Sequence, residues 1–300
     1  MATKQEIYAR ALRFATGVIL ALLAMAAFAA ALSLLAQDAD AATPAPAKAE
    51  SSADAPIIEQ KAVDVVKAAA ARLAAAKTMS FTAIASYESP SRLGPPLIFT
   101  TRSDVRLQRP DKLRVITPAD GPAAEFYYNG KTMVAYAPGP NLAATADAPT
   151  TIEATLKKAF ETAAIYFPFT DIVVADPWAA LGDGLQVAFY IGRSQVVGGV
   201  LTDMVAIAND EVFMQMWIGV EDKLPRRIRA QFKGDALRLR HEVVLSDWKI
   251  DAPMPADTFT SAKAAKAGRM PFANPNPTTP PGVKPITEGG GAAPAATKSK

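Results

Sequence analysis

The chain has 300 residues, half of them hydrophobic and a fifth charged, with 32 basic groups against 29 acidic ones. A formal net charge of +3 is too mild a balance to argue for a nucleic-acid partner. The absence of cysteine and the presence of a single histidine exclude a disulfide framework, thiolate and multi-histidine metal sites, and most nucleophilic catalysis.

Lys4, Arg10 and Arg13 precede an uncharged, mostly apolar run from Phe14 to Ala36, and Ala39-Asp40-Ala41 fits a small-x-small cleavage site. Residues 1–41 therefore read as an export signal. The run also reaches membrane-spanning length, so two outcomes stand: cleavage to a soluble periplasmic protein, or retention as an N-terminal inner-membrane anchor with the basic end inside. Residues 42–55 are small, polar and Pro-containing, the composition of a linker. Residues 261–300, with seven prolines and five glycines, read as a disordered tail. The folded unit expected is 56–260.

That unit opens with a helix. Ile58, Ala62, Val65, Val66, Ala69, Leu73 and Ala76 recur at three- and four-residue spacing, with Asp54 placed to cap and Pro56 in the first turn. From Phe81 the apolar period falls to two. Residues 81–89, 97–108, 112–117, 123–128 and 131–137 read as strands, and Asn129-Gly130 is a strong hairpin signal. A second helix is expected over 150–167, capped by Thr150 or Thr151, with Ile152, Leu156, Ala159, Phe160 and Ala163 on one face and Pro168 as its stop. Beyond Asp176-Pro177-Trp178, turn signals at Gly198-Gly199, Asn209 to Glu211, Glu221 to Leu224 and Gly234-Asp235 give the rhythm of an antiparallel meander.

The strand from Val212 to Val220, VFMQMWIGV, is apolar on both faces, because Phe213 and Trp217 alternate with the other apolar residues. Something must cover each face. Met214 and Met216 are expected on a concave side against a helix, with Phe213 and Trp217 under the 168–184 segment that carries Phe169 and Trp178. Tyr128, Tyr136, Phe160, Phe167, Trp178, Met204, Met214, Met216 and Trp217 are the candidates to line an apolar cavity, methionine being adaptable to varied alkyl chains.

If Gly234-Asp235 is a two-residue turn, Arg229 opposes Arg240 and His241 opposes Ile228. One hairpin face would then carry Arg227, Arg229, Lys233, Arg238 and Arg240, with a like-charge contact that an anionic or acidic partner would relieve. His241 falls on the apolar side of a strand with no nucleophile elbow nearby, so it reads as structural, and no catalytic residue is expected. The acidic pairs Asp210-Glu211 and Glu221-Asp222 sit at turns, and Gly182-x-Gly184 lacks the strand–helix context of a phosphate loop. No metal or cofactor is expected.

A leader, an amphipathic helix, strands with a helix inserted midway and a closing meander resemble the lipoprotein-localisation (LolA/LolB-like) superfamily. Arg109 to Arg114, Phe126 to Pro138, Asp176 to Leu181, Tyr190 to Val200 and Met216 to Ile228 resemble segments of an uncharacterised family of predicted periplasmic proteins related to it. The resemblance implies an α+β fold: a curved antiparallel sheet, or half-open β-barrel, with helices packed in its concave side. It also implies a non-catalytic carrier of a lipid or of a lipoprotein's acyl chains. The second reading is an interaction or sensor module for a cell-envelope protein, and a hydrolase is the third.

Overall fold

The computed structural model describes residues 57–273, apart from 93 and 119–121. Its strands form one open sheet in the order β1-β8-β9-β10-β11-β12-β2-β3-β4-β5-β6-β7-β13. These are β1 (Ile57–Ile58), β2 (Thr78–Ser89), β3 (Leu97–Gln108), β4 (Lys112–Thr117), β5 (Ala124–Tyr128), β6 (Thr132–Ala137), β7 (Leu142–Asp147), β8 (Val187–Ser194), β9 (Thr202–Ala208), β10 (Val212–Gly219), β11 (Pro225–Phe232), β12 (Arg240–Ile250) and β13 (Gly268–Met270). Every pairing is antiparallel except the two edge pairs, β1 with β8 and β13 with β7. The sheet is curved, and its concave side carries the main core, as the resemblance implied.

Helix α1 (Gln60–Ala75) crosses the concave side. Its stripe of Ala62, Val63, Val66, Ala69, Ala70 and Leu73 is buried, and alanines at the contact let the helix axis lie close to the strands. Ala62, Val66 and Ala69 share a cluster with Val205, Ile207, Met214 and Met216, while Leu73 joins a second cluster built on β2 to β5. The expected cap Asp54 and first-turn Pro56 lie outside the described residues; Ile57 and Ile58, expected in the helix, instead pair with Val187 and Ala188.

Helix α2 (Ile152–Ala163) fills the other half of the concave side with Ile152, Leu156 and Ala159. The Thr151 side chain caps it by accepting from the Ala154 N–H. It ends earlier than expected because Ala164 turns left-handed at φ 53°, four residues before Pro168. Two short helices follow, α3 (Thr170–Val173) and α4 (Pro177–Gly182), the latter capped by Asp176. Trp178 closes over Gly182, where a Cβ would fall 2.7 Å from the indole ring.

Strands β7 and β13 escaped the sequence reading. LAATAD in β7 has no clear alternation of apolar and polar residues, and GRM in β13 is too short to carry a pattern. The tail expected from residue 261 also needs correction. Helix α5 (Ala262–Lys266), capped by Ser261, buries Ala264 and Ala267 with Tyr136 and Ala143, and β13 then lines the edge of β7. Two alanines and a three-residue edge pairing hold a segment whose composition argued against a core.

Candidate functional site

The registers of β10, β11, β12, β2 and β3 place Met214, Ala230, His241, Tyr87 and Phe99 directly opposite one another, one per strand. Directly opposed residues share a face, and Met214 fixes that face as the concave one, since it lies in the cluster beneath α1. Exposure rises along this row. Met214 is 8% exposed, Tyr87 42% and Phe99 47%, so the helix cover ends between them. Four strand spacings make the row about 19 Å long, the scale of an extended fatty acyl chain.

The uncovered end is apolar and ordered by ring contacts. Tyr87 and Phe99 stack at 5.7 Å, and Phe232 meets His241 edge-on at 5.2 Å. Leu97, opposite Ser89 on the same face, is 55% exposed. Ala85 and Ala230 contribute small side chains, leaving a shallow floor between the rings. Burial holds the His241 pKa below its ordinary value, so the imidazole is neutral at pH 7 and adds no charge to the strip.

The cavity candidates divide between three places. Trp178, Met214 and Met216 meet in the cluster under α1, and Met216 is 1% exposed, opposed by Val205 and Ile228. Tyr128 and Phe167 belong to the cluster under α2, where the Tyr128 hydroxyl donates to the Pro149 carbonyl. Phe160 is half-buried on α2. Tyr136, Met204 and Trp217 do not join them, because the β alternation turns all three to the convex face. A convex cleft of about 230 Å³ lies near Tyr136, between Tyr127, Val134, Thr145, Phe259, Ser261 and Arg269.

The second apolar face of β10 is covered differently from the expectation. Phe169 and Trp178, expected over Phe213 and Trp217, pack in the two concave clusters instead. Trp217 is shielded by the Arg227 guanidinium, 4.9 Å from its ring centroid, and Phe213 stays 38% exposed. A stacked guanidinium buries an indole face without any loop.

The basic hairpin also differs in register. The connection between β11 and β12 spans residues 233–239, held wide by the Asp235 carboxylate, which accepts from the Leu237 and Leu239 N–H groups, and by Arg238 at φ 52°. Arg229 therefore opposes Glu242, and Arg240 opposes Gln231. Arg227 pairs with Glu242 and Arg240 with Glu88, so these charges are relieved within the chain. The Arg240 hydrogen bonds hold the Glu88 carboxyl below the usual carboxylate range. Lys233 and Arg238 stand exposed in the connection rather than on the sheet face. Among the described residues no three His, Asp or Glu side chains converge as metal ligands.

Tyr87, Leu97 and Phe99 were missed as site residues. The signal was present: Leu97-Ile98-Phe99 is apolar on both strand faces, the same pattern that marked Val212 to Val220.

The family described as "Predicted periplasmic protein (DUF2092)" matches residues 62–273. No curated protein matches the chain. Among solved structures, the lipoprotein LppX of Mycobacterium tuberculosis is 10% identical, with 67% of this chain and all of that chain covered at a TM-score of 0.43. LprF of Mycobacterium bovis is 15% identical, with coverage of 68% and 98% and a TM-score of 0.42. MucB of Pseudomonas aeruginosa, solved in complex with MucA, is 13% identical, with coverage of 68% and 62% and a TM-score of 0.38.

Proposed function

We propose that this chain, which belongs to the DUF2092 family of predicted periplasmic proteins, binds the acyl chain of a lipid or lipoprotein on the uncovered concave strip. The observation that carries this reading is the row from Met214 to Phe99, in which a closed core opens without a break into exposed stacked rings. An acyl chain laid along Ala230, His241, Tyr87 and Phe99 would be taken out of water at about 0.8 kcal/mol per methylene buried. Its end would stop against Met214 beneath α1. Apolar burial sets the affinity, and the neutral His241 spares the floor the larger cost of covering a charge.

The test is fluorescence titration with a polyene fatty acid. The wild-type chain should bind and enhance emission, and competing fatty acid should reverse it. The double variant Tyr87→Ser/Phe99→Ser should bind at least tenfold more weakly, since two exposed apolar rings are removed from the path. Equal binding by the wild type and this variant would place any acyl site elsewhere. No binding by the wild type, together with in-cell cross-linking of the strip to one stoichiometric envelope protein, would support the interaction-module reading instead.

A further inference from the structure

The rim of the sheet at which the strip opens carries more apolar surface than an acyl chain needs. The registers bring the starts of β8, β10, β12 and β3 and the ends of β9, β11 and β2 to this one rim. At its β2–β3 hairpin, Leu97 and Phe99 point to the concave side while Ile98, 67% exposed, points to the convex side. Leu237, 61% exposed, tips the neighbouring 233–239 connection. A protein partner laid on one face of a hairpin leaves the other face wet. The boundary between lipid headgroups and acyl chains surrounds a hairpin tip and takes both.

The charges of the two connections fit the same occupant. Arg92, Lys233 and Arg238 are exposed there, and the one acidic side chain among them, Asp235, is turned inward to accept from the Leu237 and Leu239 N–H groups. Arg92, Lys233 and Arg238 beside the apolar tip match an anionic phospholipid surface, while the exposed Asp210 and Glu211 lie on the adjoining 209–211 turn of the same rim. The chain itself arrives at this rim: Ile57 pairs with the first residue of β8. Only residues 37–56 separate Ile57 from the apolar run that ends at Ala36, a span of at most about 70 Å fully extended.

We infer that the rim formed by the β2–β3 hairpin and the 233–239 connection docks on an anionic phospholipid bilayer, with Leu97, Ile98, Phe99 and Leu237 at the headgroup–acyl boundary. This rests on the acyl-strip reading for its purpose, since docking there opens the strip directly onto the bilayer. It does not rest on it for its geometry, because Ile98 stands on the face away from the strip.

The chain has no cysteine, so single labels are clean. The full chain, reconstituted in vesicles of phosphatidylglycerol and phosphatidylethanolamine, would carry an environment-sensitive fluorophore at Ile98→Cys or, at the opposite rim, at the 89% exposed Val196→Cys. The Ile98 label should shift to the blue and be quenched by spin-labelled acyl chains, less so in phosphatidylcholine alone or in high salt. The Val196 label should stay aqueous. Two aqueous labels, or two labels quenched alike, would overturn the inference. A blue-shifted Ile98 label in lipid-free protein would overturn it as well, by showing that protein covers the tip. Ile98→Asp separates the two proposals: it should slow acyl transfer out of vesicles about tenfold or more while leaving titration by a soluble fatty acid unchanged. Loss of both would assign Ile98 to folding or to the strip and refute docking.

Discussion

Replacing Met216 with aspartate tests whether the concave side beneath α1 is closed core. The side chain is 1% exposed, is opposed by Val205 and Ile228, and shares a cluster with Val66, Ala69 and Leu181. Truncation alone, as Met216→Ala, should cost about 2–5 kcal/mol through lost burial and the cavity left behind. The aspartate adds a carboxyl with no partner in that cluster, bringing the loss to roughly 4 kcal/mol or more, a large share of the 5–15 kcal/mol typical of a domain. Urea unfolding followed by far-UV circular dichroism should then show the midpoint falling by about 2 M. The pH dependence carries its own sign. Burial raises the folded pKa of the new carboxyl, so the native state holds its proton longer and the deficit grows as pH rises above the ordinary aspartate range. Comparison at pH 4.5 and pH 8 reads this directly. A Met216→Asp protein with an unchanged midpoint at pH 8 would refute the packing of α1 over β10.

Three further outcomes follow from the same contacts. The pKa of His241 lies below its usual 6.5 because the partly buried ring loses solvation, so its contribution to stability is present above pH 6.5 and lost as pH falls through the lowered value; His241→Phe should flatten the pH dependence of the urea midpoint across that window. Arg227→Gln removes both the guanidinium over Trp217 and the pair with Glu242, and should cost about 1–2 kcal/mol with a red shift of Trp217 emission, scored against Trp217→Phe. Tyr87→Ser/Phe99→Ser should leave the unfolding free energy within about 1.5 kcal/mol of wild type, because both rings are half-exposed and stack on each other.

The strands most legible in the sequence were those with a clear apolar period, as in β4, whose alternation runs from Lys112 to Thr117, while β3 was bounded as expected although its first three residues are apolar on both faces. Register was harder. The 233–239 connection hides its length, since Gly234-Asp235 reads as a tight turn until the Asp235 carboxylate is seen collecting two N–H groups further on. That two-residue shift kept the paired residues of β11 and β12 on their expected faces, moved Lys233 and Arg238 into the connection, and gave Arg229 and Arg240 carboxylate neighbours instead of each other. Faces follow parity, which composition shows, whereas partners follow loop length. The cover of Trp217 was illegible for a related reason, because Arg227 reaches it only through the pairing of β10 with β11. The site itself was legible in part. The two-faced Val212 to Val220 strand pointed to the concave floor, yet its open end at Tyr87 and Phe99 depends on which strands α1 lies across, and only packing determines that.

Mass spectrometry of lipids extracted from the chain purified out of the periplasmic fraction or the inner membrane tests the acyl-strip account most directly. The account predicts one class of acylated molecule retained by the wild-type chain through washing, and its loss from the folded Tyr87→Ser/Phe99→Ser variant purified in the same way. A wild-type chain that carries no acylated molecule, or a variant that carries as much as the wild type, would contradict it.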